Sequence, residues 1–223
     1  MQLEHPAREI IYVGDPMCSW CWGIAPELDE LKRRRPDLPL RVIVGGLRPG
    51  PSAEVVTERM AETLAHHWRQ VTARSGQPFD HAILARGGWT YDTEPACKAV
   101  VVMREIDEAQ AWPLFKRLQR AFYAEGIEVS DPATLPPLVA EFDVDVDGFM
   151  EAFHTPDATK ATWRDFATAR NWGISGFPTV IARDGDRGHV IAEGYTAADD
   201  MHLAVDRLVG PAPAPFCVPG EIC

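Results

Sequence analysis

Asp15-Pro16-Met17-Cys18-Ser19-Trp20-Cys21-Trp22-Gly23 is the stretch on which the reading of this chain turns. Two cysteines separated by two residues can do chemistry that no other part of the sequence matches. Upstream, residues 9–14 (EIIYVG) form a short apolar, β-rich run, which Gly14-Asp15-Pro16 ends. Downstream, Ile24, Leu28 and Leu31 recur at helical spacing, so Cys18 and Cys21 open a helix. Unpaired backbone N–H groups and the positive end of the macrodipole gather there, and both favour a thiolate. The thiolate is the nucleophile of disulfide exchange. The spacing alone leaves three readings open: a redox pair, half of a zinc site, or an inert pair. A second apolar strand at residues 40–46 (LRVIVGG) completes a βαβ unit, the setting in which such a pair reads as thioredoxin-like.

A second signal lies far along the chain, at Gly173-Ile174-Ser175-Gly176-Phe177-Pro178-Thr179-Val180-Ile181. Proline is tolerated at the first position of a strand. The Phe177-Pro178 bond therefore reads either as a trans bond that merely starts the strand or as a cis bond in a tight entry. Pro178 would present an apolar wall to the sulfurs, and Phe177 would be free to pair its backbone with an extended substrate. Trp20 and Trp22 would frame the sulfurs with further apolar surface.

Together these motifs resemble the DsbA-type branch of the thioredoxin superfamily, and the Cys18-Ser-Trp-Cys21-Trp-Gly version is most similar to its cytosolic FrnE-like members. The likeness covers the chain to Gly210. It implies an α/β thioredoxin fold with a large all-helical insertion, a nucleophilic Cys18, a resolving Cys21 and a cis Pro178. The Ser-Trp dipeptide between the cysteines lacks the histidine of strongly oxidising periplasmic relatives, so the direction of catalysis does not carry over.

The 223 residues include 22 basic and 33 acidic side chains, a net charge of −11. That balance disfavours nucleic acid and anionic membranes as partners. The first eight residues lack the apolar run of a secretory signal, and no stretch approaches the ~20 apolar residues of a membrane span. The expectation is a cytoplasmic protein, in a compartment that keeps thiols reduced. There an exchange-active pair reduces or isomerises disulfides more plausibly than it installs them. The expected partners are disulfide-containing proteins or small disulfides and a thiol donor such as glutathione or thioredoxin, with no cofactor and no metal.

The expected organisation is a thioredoxin domain from residues 1–50 and 173–210, a helical insertion over 51–172, and a tail over 211–223. Within it, helices are expected over 22–35, 53–74, 96–106, 111–124, 135–142, 149–153, 158–172 and 199–209, with a closing hairpin over 179–183 and 189–194. Asp131 and Asp147 are read as helix caps. The basic run at 33–35 is read as a solvated helix end. Adjacent His66 and His67 point in different directions on their helix and are not a metal pair. Cys97 is read as a small core residue, the alternative being that Cys97 or the Trp89 to Glu94 segment borders the redox groove. The proline-rich tail carries Cys217 and Cys223, which are read either as incidental thiols or as a second dithiol able to exchange with Cys18 and Cys21. Two rivals to an exchange enzyme are a glutathione-dependent isomerase of small aromatic or polyketide-like substrates, whose relatives carry serine in place of Cys18, and a thiolate metal-binding module.

Overall fold

The structure is a computed structural model that describes residues 8–212. It begins with β1 (Arg8–Gly14), buried on both faces. Ile10 and Tyr12 belong to the main core, and Ile11 and Val13 to a second cluster with Ile43, Ala169 and Ile181. Burial on both faces is why this strand reads as one continuous apolar run. Helix α1 (Ser19–Arg34) crosses over to β2 (Leu40–Val44), which pairs parallel to β1 with Tyr12 opposite Val42.

The insertion starts differently from its expected helix over 53–74. Residues 54–55 form β3 (Glu54–Val55), and α2 (Glu58–Ser75) begins later, because the Thr57 side chain accepts the Met60 N–H and sets the cap there. After α3 (Ala82–Arg86), β4 (Thr90–Tyr91) pairs antiparallel with β3. The insertion is thus helical apart from this two-residue ladder. The helices α4 (Glu94–Ile106) and α5 (Glu108–Ala124) follow, α5 starting three residues before its expected position because Asp107 caps it. Next come α6 (Leu135–Val139), α7 (Val146–Phe153) and α8 (Pro156–Asn171). Asp131 caps a short turn before α6, as its position implies. Asp147 is not the cap of α7. That role falls to Asp145, whose carboxylate accepts the Asp147 N–H.

The chain returns through β5 (Thr179–Asp184) and β6 (Arg187–Glu193) and ends in α9 (Ala198–Val209). The sheet order is β2-β1-β5-β6, with β5 antiparallel to both neighbours. The two ends of the chain therefore build one sheet, and the Cys18 loop and the Pro178 loop meet at the same end of it.

The helix end at 33–35 is only partly solvated. Arg33 and Arg34 pair with Glu30 on the surface, but Arg35 is 1% exposed and joins Asp37 and Asp206. The contact from Glu27 to Ala198 and that from Arg35 to Asp206 show α9 running alongside α1, away from Cys18. No helix among the described residues is long and apolar enough to cross a membrane.

Candidate active site

Asp15 shapes the entry to α1. Its carboxylate accepts the Met17 N–H at 2.8 Å and the Leu47 N–H at 2.6 Å, and its carbonyl accepts the Cys18 N–H at 3.0 Å. One buried acid thus ties the loop after β1 to the loop after β2. Burial pushes the Asp15 carboxyl above its usual range, while the two N–H groups pull the other way.

Cys18 is the N-cap of α1, with extended backbone and no capping side chain, and the first turn holds no acidic residue. The helix N–H groups therefore face the sulfur without competition from a carboxylate. The Cys18 thiol is 7% exposed and donates to the Phe177 carbonyl at 3.6 Å. Cys21, one turn on, is fully buried. Desolvation and the adjacent Cys18 sulfur push its thiol well above the usual range, and Tyr12 lowers it. Cys18, Cys21 and Cys97 are all free thiols.

The Phe177-Pro178 bond is cis. Pro178 is buried and Phe177 half-buried. The Phe177 ring lies over Gly45 at the end of β2, so closely that a Cβ there would sit 2.1 Å from the ring. We expect Gly45→Ala to displace the ring and the carbonyl facing Cys18. The change should destabilise the fold by about 1–3 kcal/mol as overpacking. Misplacing a group at the reacting sulfur should also cut disulfide exchange on the order of tenfold to a hundredfold. Thermal unfolding and insulin reduction, measured well below the melting temperature, check both effects.

The tryptophans divide. Trp20 is half-buried beside the pair. Trp22, expected on the substrate side of the sulfurs, instead points inward and is 8% exposed. Its indole N–H donates to the Pro78 carbonyl at 3.0 Å, and its ring stacks on Tyr123 at 6.3 Å. With its single polar atom satisfied inside, the large ring gains more from burial than from exposure. Trp22 holds α1 against the insertion through these contacts.

Cys97 is fully buried, as a core residue would be, yet its thiol donates to Asp15 at 3.5 Å, which places it against the loop that leads into Cys18. Burial and the neighbouring Asp15 carboxylate push the Cys97 thiol well up. Tyr12 and Gly45 carry no signal of a site role in the sequence, whereas Tyr91 lies in the Trp89 to Glu94 segment expected as an alternative border of the groove and Asp15 in the motif itself. Tyr91 donates its hydroxyl to the Met17 carbonyl from inside the insertion. The available signal was Asp15 itself, an acid between an apolar strand and a buried helix, where a carboxylate needs partners. Among the described residues no group of three or more His, Cys, Asp or Glu side chains is placed to hold a metal. Cys217 and Cys223 lie outside the described residues.

This geometry agrees with the relationships of the chain. The family model of the DSBA-like thioredoxin domain matches residues 9–209. The chain belongs to this family. A crystal structure from Nitrosomonas europaea, provisionally assigned as a protein disulfide isomerase, is 30% identical to it. The match covers 91% of this chain and 97% of that one, with a TM-score of 0.83. The cytosolic disulfide reductase DsbM from Pseudomonas aeruginosa, in its structure with GSH, is 25% identical over 90% of this chain and 98% of its own, with a TM-score of 0.72. The ClpXP adapter protein SpxH from Bacillus subtilis (strain 168) is 22% identical over 98% of this chain and 74% of its own length. As a DSBA-like protein the chain keeps a βαβ unit at its start, a ββα unit at its end and helices between them.

Proposed function

We propose that this DSBA-like protein is a cytoplasmic thiol-disulfide oxidoreductase that works as a reductase or isomerase, taking electrons from a thiol donor such as glutathione. The observation that carries the reading is Cys18 at the helix N-cap, at the surface end of the pair, with a fully buried second thiol one turn behind it. A cysteine in that place is the accessible nucleophile, and the next one can only act inside the molecule. The likeness to a cytosolic disulfide reductase supports the direction and the donor class.

In the proposed cycle the Cys18 thiolate attacks one sulfur of a substrate R–S–S–R′, forming Cys18–S–S–R and releasing R′–S⁻, which takes up a proton. Cys21 then gives up its proton and attacks Cys18, forming the Cys18–Cys21 disulfide and releasing R–SH. Two donor thiols restore both cysteines and leave as their own disulfide. The Phe177 carbonyl receives the Cys18 thiol proton in a hydrogen bond before attack. Gly173, Ser175 and Gly176 just before Phe177 are exposed, so an extended substrate can approach that carbonyl along them.

The test is equilibration with mixtures of reduced and oxidised glutathione, followed by acid quenching and mapping of the tryptic peptide spanning residues 9–32, which carries both cysteines. The expected result is an intrapeptide disulfide that forms and disappears reversibly with the ratio, together with faster reduction of insulin by dithiothreitol. A pair that stays reduced at every ratio, with insulin reduced no faster than by dithiothreitol alone, would refute the reading.

A further inference from the structure

The mechanism leaves one buried group unused. Tyr12 is fully buried in the middle of β1, with its side chain on the face that α1 covers. Its ring meets Trp112 edge-on at 5.1 Å and Phe115 at 5.4 Å, so both flanks are closed by α5. Gly14, two residues on along the same face, leaves room for the hydroxyl: a Cβ there would sit 2.6 Å from the Tyr12 oxygen. The hydroxyl makes no hydrogen bond in the resting structure, to nitrogen, oxygen or sulfur. A buried polar group without a partner is unusual in a folded protein and asks for a reason. Cys21 and Cys18 share its buried cluster and are the neighbouring sulfurs that act on the phenol electrostatically.

We propose that Tyr12 is the hydrogen-bond donor that stabilises the Cys21 thiolate in the resolving half of the cycle, and so sets how fast the mixed disulfide closes. The proposal rests on the thiol-disulfide reading of the site. Cys21 is neutral and poorly solvated at rest, and a thiol is a weak acceptor, so the phenol gains little there. Cys21 attacks as the thiolate, so before and during bond formation its fully buried sulfur carries negative charge, and the proton it has lost ends on the departing R–S⁻. The phenol O–H, already held in place, then makes a charge-assisted bond to the Cys21 sulfur. Tyr12 keeps its own proton throughout, because burial and the neighbouring sulfurs hold the phenol well above its ordinary range. The new S–S bond forms between Cys21 and Cys18, the old bond to R breaks, and R–SH leaves.

The other titratable groups around this pair are Cys18 from α1, Asp15 from the β1–α1 loop, Tyr123 from α5 and, beside Cys18, Tyr91 from β4. The face supplied by α5 against the Tyr12 ring is apolar. No basic side chain is among the groups acting on Cys21. Once Cys18 is held in the mixed disulfide it has no proton to donate, which leaves the phenol as the side-chain group able to donate to this sulfur.

The experiment mixes reduced full-length protein with oxidised glutathione, quenches in acid over a series of times, and follows the 9–32 peptide as free, glutathionylated or internally disulfide-bonded. Tyr12→Phe retains the ring and its packing. The expected result is an unchanged rate of glutathionylation at Cys18 and closure slowed about tenfold at neutral pH, the size of one hydrogen bond to a charged group. The pH midpoint of closure should move upward by about one unit, a shift that a purely structural role would not give. Gly14→Ala serves as a second variant, because its Cβ displaces the hydroxyl without removing it, and it should slow the same step. Closure at the wild-type rate with the wild-type pH midpoint in Tyr12→Phe would overturn the proposal. If Tyr12→Phe fails to fold, wild-type closure in Gly14→Ala would do so. Wild-type protein that forms neither the mixed nor the internal disulfide would instead sink the oxidoreductase reading.

Discussion

Cys18→Ser is expected to bring insulin reduction down to the rate of dithiothreitol alone, while Cys21→Ser keeps the first half of the reaction and stalls in the second. The asymmetry follows from exposure and position. Cys18 lies at the N-cap where the first helical N–H groups point, with its sulfur, 7% exposed against none for Cys21, on the Phe177 carbonyl. Cys21 is closed in by α1, Tyr12 and the aromatic residues of the insertion. Serine in place of Cys18 removes the thiolate and leaves a hydroxyl that is not a nucleophile at neutral pH. The loss should therefore be on the order of a thousandfold or more. Serine in place of Cys21 leaves attack intact but offers no sulfur to displace the substrate. A mixed disulfide at Cys18 should then accumulate and be seen by intact mass or on a non-reducing gel. Finding the trapped species in Cys18→Ser instead of Cys21→Ser would reverse the assigned roles. Full activity in both variants would move the chemistry away from this pair.

Asp165→Ala should destabilise the protein by about 3–5 kcal/mol, the cost of leaving a buried partner uncompensated. Asp165 on α8 binds both Arg104 guanidinium nitrogens, at 2.7 and 3.0 Å, and accepts the Val44 N–H at 3.0 Å. Arg104 on α4 also donates to the Val42 carbonyl at 2.6 Å. The pair therefore satisfies two backbone groups on the edge of β2 that no strand covers, and it bolts two insertion helices to the sheet. Removing the carboxylate orphans the Val44 N–H and a nearly buried guanidinium together. Denaturant unfolding measures the loss, and in a protein of this size it should lower the melting temperature by roughly 10 °C. Arg104→Met with Asp165→Leu removes both charges and should recover part of the stability, because two apolar side chains leave no buried charge unpaired. A loss below about 1 kcal/mol in Asp165→Ala would mean that water reaches the pair freely. The effect reaches the active site too, since Val44 leads into Gly45, under Phe177, and on to Leu47, which binds Asp15.

Long periodic segments were legible because one face of each is buried against a single core. The apolar series in α2, α4 and α5 carries that periodicity directly, and the two loops with special chemistry are marked by residue types that few other positions need. Short features were not. The β3–β4 ladder has two residues per strand, too few for any alternation to show, and its position depends on the loop that carries Trp89 back to Val56. Asp145 and Asp147 are equally good capping residues in isolation, and the helix start that chooses between them is set by Phe149 and Phe153 reaching the core. Trp22 has the same composition signal whether it lines a groove or fills a core.

The sequence by itself determined the order of the long elements, the placement of Cys18 and Cys21 at a helix start, and the proline at the mouth of β5. These depend on local rules: hydrophobic period, helix termini, and the missing N–H of proline. Only the tertiary structure decided which of the surrounding side chains act on the sulfurs. Phe177 reaches Cys18 from 159 positions away, and Cys97 reaches Asp15 from 82. Tyr12 comes to share a buried cluster with Cys21 because strand alternation and the seating of α1 on β1 coincide. Contacts of that kind are absent from any window of sequence, because they exist only once the sheet has brought distant loops to one end and burial has removed the water that would otherwise satisfy each group alone.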